Sequence, residues 1–198
     1  MRLVSKFSPG AILIQETKFR RKKQFEINDY DTFELIRKDW AGGGLYTAVH
    51  KSLNAVEVPT ETDNEILVVE ASLGQSRVRF INGYGPQEYA SESCRKQFFH
   101  QLDLEVKKAK LVGSLICIEM DSNAKLGSAI IPSDPRPQSD NGKLLEAVIT
   151  ENNLVVVNGQ SLCKGTITRY RNTVNGEEKS VLDHFIVCDE FFQFVKSI

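Results

Sequence analysis

The sequence predicts an α+β domain of two packed, mainly antiparallel β-sheets with helices on the outside. Three observations predict it. Short apolar runs recur along the 198 residues with turn residues between them, the pattern of strands. Only two segments carry helical spacing. The strand candidates also come in adjacent pairs, which suits layered sheets joined by hairpins.

The elements follow in chain order. Ala11–Gln15 (AILIQ) is the first strand. Thr32–Ile36 is the second, and Gly42-Gly43-Gly44 makes a tight connection into Leu45–His50 (LYTAVH). Glu65–Ser72 and Arg77–Tyr84 flank Gly74-Gln75 as a hairpin. Ser91–Lys110 sets Cys94, Phe98, Leu102 and Val106 at four-residue steps, one helical stripe, with Ser91 as its N-cap. Leu115–Ile118 is fully apolar and reads as a buried strand. Ser128–Ser139, with three prolines, is a loop. Asn141–Asn152 gathers Leu144, Leu145, Val148 and Ile149 on one helical face. Leu154–Val157 and Ser180–Val187 complete the strands. No repeat, low-complexity tract or boundary divides the chain, so residues 1–198 read as one domain.

Composition excludes several classes. Apolar residues are 41% and charged residues 26%, which a disordered chain would not combine with a net charge of −1. No apolar run approaches the ~18 residues of a membrane span. The apolar stretch Ala11–Ile14 is too short for a secretory signal. With 25 basic against 26 acidic residues, no overall field attracts polyanions; binding nucleic acid would need a local patch or a metal. Cys94, Cys117, Cys163 and Cys188 include no closely spaced pair of the zinc or thioredoxin kind. Cys117 and Cys188 sit in apolar runs and read as reduced core residues, so an intracellular compartment is expected.

Three segments place chemistry at strand ends, and a fourth places it within a strand. In ILIQET an apolar strand runs into Glu16, a sheet-edge carboxylate or simply a solvated glutamate. In ICIEMDSNA the strand leads to Asp121 and Asn123, which in extended backbone share a face. A carboxylate and an amide on one spot suit a hard cation or a water to be oriented; an Asx turn at the strand end accounts for the same pair. In INGYGPQ, Asn82 and Tyr84 share a face, and the phenol is a donor for a phosphate oxygen or an ordinary turn residue. In SVLDHFIV, Asp183 lies within an apolar strand, where a carboxylate is costly without a partner such as a histidine or a metal. Adjacent strand residues face opposite ways, so His184 reads as packing.

The order of these motifs is more specific than any one of them. Nearly end to end, the sequence resembles the endonuclease/exonuclease/phosphatase superfamily, and within it the endonuclease domains of non-LTR (LINE-type) retrotransposons. ILIQET is similar to the strand ending in the metal-binding glutamate, here Glu16. INGYGPQ resembles the Asn-x-Tyr-x-Pro motif, and MDSNAKLG the Gly-Asp-x-Asn motif. NGKLLEAVITENNLVVVNG is similar to the helix and strand that follow, GTITR to a segment near the DNA backbone, and SVLDHFIV to the strand whose aspartate orients a catalytic histidine.

The resemblance implies a four-layered α/β sandwich of the DNase I-like kind and Mg²⁺-dependent phosphodiester hydrolysis, with Mn²⁺ as a substitute, in a DNA-nicking endonuclease. It implies Glu16, Tyr84, Asp121, Asn123 and Asp183 as catalytic residues, and Glu16, Asp121 and Asn123 as metal ligands. Lys18, Arg20, Arg21, Gln87, Thr166 and Arg169 are expected at the DNA, with Lys22, Lys23 and Arg171 beside them, although a solvated loop accounts equally well for the basic run from Lys18 to Lys23; Trp40 is expected in the core. A reverse transcriptase domain in a longer parent protein is the implied partner, and the nucleus the implied site for an active retroelement product, otherwise the cytoplasm.

The sequence departs from the family pattern. Met120 stands where the aspartate motif has glycine, and Gln87 where asparagine often follows Tyr-x-Pro. The family's opening asparagine strand and its closing Ser-Asp-His strand have no counterpart, so the domain reads as truncated at both ends with reduced activity. A phosphatase or phosphodiesterase on a small or lipid substrate, and a catalytically dead fragment serving as a binding module, are the competing expectations.

Overall fold

Alternating apolar residues fold back on themselves most clearly in a hairpin whose two-residue turn is Gly74-Gln75. A computed structural model describes residues 2–22, 24–37, 42–163, 167–173 and 176–195. In chain order it contains α1 (Arg2–Phe7), β1 (Ala11–Ile14), β2 (Tyr30–Leu35), β3 (Leu45–His50), β4 (Val56–Val58), β5 (Ile66–Leu73) and β6 (Ser76–Tyr84). Then follow α2 (Glu92–Leu111), β7 (Leu115–Asp121), α3 (Asp140–Glu151), β8 (Leu154–Val156), β9 (Arg169–Thr173), β10 (Gly176–Ser180), β11 (Asp183–Cys188) and α4 (Asp189–Phe192). Lys23, Trp40 and Thr166 lie outside the described residues.

Two sheets stack face to face. The larger runs β4-β5-β6-β7-β11-β8 and the smaller β1-β3-β2; β9 and β10 form a separate two-stranded hairpin. Every pairing is antiparallel except β6 with β7. That parallel step needs a crossover, and α2 supplies it. Between the sheets pack Leu45 and Val49 of the small sheet and Leu67, Val69, Val78, Phe80 and Cys117 of the large one. On the other face of the large sheet, Ile116, Ile118 and Met120 meet Phe98, Leu102 and Val106 of α2 and Leu145 and Val148 of α3. The outer face of the small sheet is covered by Val4 of α1 and by Phe19 and Ile27, around Tyr46 and Ala48. These are the four layers of the expected sandwich.

Both main helices begin at a serine cap, Ser91 as the sequence reading expects and Ser139 unforeseen by it. The Ser91 hydroxyl accepts from Cys94 N, and the Ser139 hydroxyl from Gly142 N, each satisfying one of the open N–H groups of a first turn. The α2 stripe is buried from Phe98 to Ala109, but Cys94 is exposed, because the first turn of α2 stands beyond the sheet it covers.

Two strand boundaries differ most from the sequence reading. The apolar run Leu115–Ile118 continues to Asp121, because β7 is hydrogen-bonded on both sides and the ladder holds through Glu119 and Asp121. Ser180–Val187 is not one strand. It breaks at Val181 and Leu182, both buried. There the Leu182 carbonyl accepts from Ser122 N and its N–H donates to the Thr168 hydroxyl, so these groups leave the ladder. Asp183 therefore opens β11 rather than sitting inside a strand.

Candidate functional site

Strand register brings three of the singled-out side chains together at one end of the inner strands of the large sheet. Tyr84 pairs with Asp121 across β6 and β7, and Asp121 pairs with Asp183 across β7 and β11. Glu16 arrives from the small sheet, just past β1, and accepts a hydrogen bond from the Tyr84 hydroxyl at 2.6 Å. Gln87 Nε2 donates to the same phenol oxygen at 3.3 Å.

The limb carrying Glu16 is held by backbone. Glu16 and Lys18 have φ of 52° and 55°, left-handed for residues with a Cβ. The turn this makes lets Thr17 N reach Gly44 O at 3.1 Å and Lys18 N reach Gly43 O at 2.9 Å. The glycine run thus docks this limb as well as leading into β3. A Cβ on Gly43 would stand 2.3 Å from Glu65 Oε1. Beneath the limb, Asn82 bolts the sheets together. Its Nδ2 donates to Tyr46 O at 3.0 Å and Thr47 Oγ1 at 3.1 Å, and its Oδ1 accepts from Gln15 Nε2 at 2.8 Å. Asn82 and Tyr84 do face the small sheet together; Asn82 is spent on joining it.

Asp121 and Asn123 do not share a face by strand alternation. β7 ends at Asp121, and Asn123 is left-handed at φ 48°. Asn123 N donates to Asp121 Oδ1 at 3.1 Å, an Asx turn, while Asn123 Nδ2 donates to Gly85 O at 2.9 Å. Gly85 N closes the loop on Asp121 O at 2.7 Å. A Cβ on Gly85 would meet Ser122 O at 2.3 Å, so only glycine lets the Tyr84 and Asp121 segments approach this closely. Asn141 Nδ2 ties the start of α3 to the same knot through Pro86 O, 2.7 Å, and Asn123 O, 3.1 Å.

The partner of Asp183 is a residue that sequence reading missed. The Thr168 hydroxyl accepts from Leu182 N at 3.0 Å and Asp183 N at 3.1 Å, and donates to the Asp183 carboxylate. His184 points away, into the helix-facing core, with Nδ1 2.9 Å from Ser122 Oγ. Burial pushes its pKa down to about 4.

The three carboxylates feel one another. Burial, then the charges of Asp183 and Glu16, push Asp121 up to about 6, against the pull of Asn123 N and Arg169. Asp183 is raised by burial and by Glu16, against its bond with Thr168. Burial, with the bond to Glu16 and its charge, pushes Tyr84 up to about 12. Glu119, also missed in the sequence, is raised to about 7 by burial alone.

Concentrated carboxylate charge is what a divalent cation relieves. Among the described residues no three His, Cys, Asp or Glu side chains form a ready-made metal cage. Mg²⁺ rarely needs one: it takes one or two carboxylates and completes its shell with water and substrate phosphate. Hard oxygen donors from Glu16 and Asp121 fit that mode.

Lys18, Arg20, Arg21 and Lys22 are exposed on the loop leaving Glu16, and Arg169 is exposed at the start of β9. A cleft of about 1070 Å³ opens beside Glu16 and Tyr84. No helix among the described residues is long and apolar enough to cross a membrane.

No protein-family model matches the sequence, nor does any curated protein. Solved structures do match. The endonuclease domain of TRAS1, a telomere-specific non-LTR retrotransposon, superposes with a TM-score of 0.71 at 16% identity, over 97% of this chain and 78% of that one. The catalytic domain of Xenopus laevis APE2 gives 0.71 at 13% identity, over 97% and 78%. A 3'-5' exonuclease of Neisseria meningitidis gives 0.69 at 15%, over 99% and 83%. The chain has the DNase I-like fold of these proteins.

Proposed function

We propose that this chain is a metal-dependent phosphodiesterase that nicks DNA. The observation that carries the reading is the meeting of Glu16 and Tyr84, from opposite sheets, with Asp121 and Asp183 at one end of the inner strands. The likeness to nuclease structures supports it.

Hydrolysis of a phosphodiester gathers negative charge in its transition state and needs a base and donors aimed at that charge. Asp121, with its raised pKa, is the group placed to orient an attacking water and take its proton. Asn123 shapes the Asx turn that presents Asp121. Tyr84, held protonated, turns its O–H from Glu16 to a phosphate oxygen. Asp183, steadied by Thr168, adds to the negative field that keeps Asp121 basic. Bound Mg²⁺ or Mn²⁺, held by Glu16 with Asp121 and Asn123 beside it, supplies charge neutralisation at the phosphate. Lys18, Arg20, Arg21 and Arg169 take DNA phosphates, with Gln87 next to Tyr84.

No histidine of the described residues joins the cluster, since His184 is turned into the core. The rate is therefore low for a nuclease, as befits a domain working within a longer protein that carries a reverse transcriptase. The test is nicking of supercoiled plasmid with Mg²⁺, with inositol phosphate release measured alongside. Slow nicking that EDTA and Asp121→Ala abolish supports the reading. Phosphate release without nicking transfers the activity to small substrates, and neither activity removes it.

A further inference from the structure

The cleft beside the cluster has chemistry of its own. Glu16 and Tyr84 form one end of it, while Asp121 and Asp183 are not among its walls. At about 1070 Å³ it reaches the upper end of the ~300–1,000 Å³ range of small-molecule sites, far more than a phosphate requires. Nor are its walls suited to phosphate. Among the described residues they carry Asp63 and Glu65, and the cation facing them, Arg37, is paired with Glu65 at 3.3 Å. Among the described residues the rest of the wall includes apolar surface from Leu35, Ile36 and Pro86, and neutral polar groups from Thr62, Asn64 and Gln87. Apolar surface interspersed with neutral polar groups suits a nucleobase.

Tyr89 stands at the rim of this cleft with 90% of its surface exposed. Its turn is nonetheless fixed. Ala90 N donates to Gln87 O at 2.9 Å, and Asn141 N donates to Glu88 Oε1 at 3.1 Å. Ser91 then caps α2. A bare ring on a pinned turn is a stacking platform that loses little entropy when a base covers it.

We infer that this cleft is a subsite for an unpaired nucleobase adjoining the phosphate at Glu16 and Tyr84, with Tyr89 as its stacking platform. The inference rests on the nuclease reading and names its substrate: DNA with a single-stranded segment, end or extruded base, since a paired and stacked base cannot enter a cleft.

The experiment uses the full chain in EDTA, where nothing is cut, and a short oligothymidylate carrying one 2-aminopurine, as single strand and as duplex. Tyr89→Ala weakens single-strand binding about tenfold and duplex binding less than about twofold, while Tyr89→Phe retains wild-type affinity. Cys94 is an exposed thiol in the cleft wall and reports occupancy. Its alkylation by iodoacetamide, followed peptide by peptide, slows about fivefold or more under saturating single strand. If wild type binds DNA but Tyr89→Ala binds single strand equally well and Cys94 stays unprotected, the subsite is overturned and the nuclease reading stands. If wild type binds neither form at low salt, both fall together.

Discussion

The two halves of the candidate site are held very differently. The large-sheet half is central: β7 is paired on both sides, Asp121 lies in register with Tyr84 and Asp183, and Gly85, Asn123 and Asn141 knot the loops above it. The small-sheet half is peripheral. β1 is paired only with β3, and Glu16 follows it on a left-handed turn, joined to the other half by the Tyr84 bond and the Gln15–Asn82 bolt. A ladder sets side chains by register, so the first half is positioned by the fold itself. The second is positioned by a few polar contacts and by glycines that let backbone approach. Mutations should therefore act on the first half through stability and chemistry together, and on the second through geometry.

The largest effect is expected at the centre. Asp121→Asn keeps the shape and the Asx turn but removes the base, and should lower Mg²⁺-dependent nicking by about 10²- to 10⁴-fold with an unchanged circular dichroism spectrum. Equal activity in the variant would move the chemistry away from the large-sheet half.

Next is Glu119→Gln, between the sheets. Glu119 has a folded pKa of about 7 against an ordinary 4.5, so the folded state binds its proton more tightly than the unfolded one. Its burial is tolerated at low pH and costs stability as pH rises through about 7. Glutamine carries no charge, so the variant should be more stable at pH 8 by roughly 3 kcal/mol, with the gain gone near pH 4. Urea melts at the two pH values measure this, and a gain independent of pH would refute it. His184 has the opposite sign: its folded pKa of about 4 makes wild type lose stability as pH falls from about 6.5 toward 4.

Gly85→Ala tests the knot. Its methyl must displace Ser122 O, an overpacking cost of about 1–3 kcal/mol, and nicking should fall with it as Tyr84 and Asp121 part. Thermal melts and nicking rates on the same preparation measure both; a stable variant with full activity would show that the close approach is dispensable. The smallest stability effect is expected across the two halves. Tyr84→Phe removes the exposed bond to Glu16, so its melting midpoint should shift by less than the equivalent of about 1 kcal/mol, while nicking falls about tenfold or more. A larger loss of stability than of activity would mean that this contact is architectural.

Sequence reading reached what periodicity and local chemistry control. Gly74-Gln75 marked the β5–β6 turn, Ser91 the start of α2, and the apolar spacing both helices and the buried face of β7. Tyr84 and Asp121 stood out because they end apolar strands and Asp183 because a carboxylate within an apolar run is costly, and parallel pairing of β6 with β7 aligns the first two. What escaped depends on contacts distant in sequence. Thr168 lies fifteen residues before Asp183 in a segment without periodicity. The left-handed turns at Glu16 and Asn123 carry no glycine to announce them. The break at Val181 and Leu182 is invisible in an apolar run, because what ends the strand is the use of Leu182 by Ser122 and Thr168. Glu119 interrupts an apolar run, and only the stacking of the second sheet makes it a half-buried carboxyl with a raised pKa.

The central claim, that side chains from the two sheets meet around one divalent cation, is tested most directly by titrating Mn²⁺ and following free ion by electron paramagnetic resonance. The account predicts one Mn²⁺ site per chain, weakened at least tenfold by Glu16→Gln and, separately, by Asp121→Asn, with Mg²⁺ competing for it. No bound Mn²⁺ at millimolar concentrations, or a site indifferent to both substitutions, would contradict it.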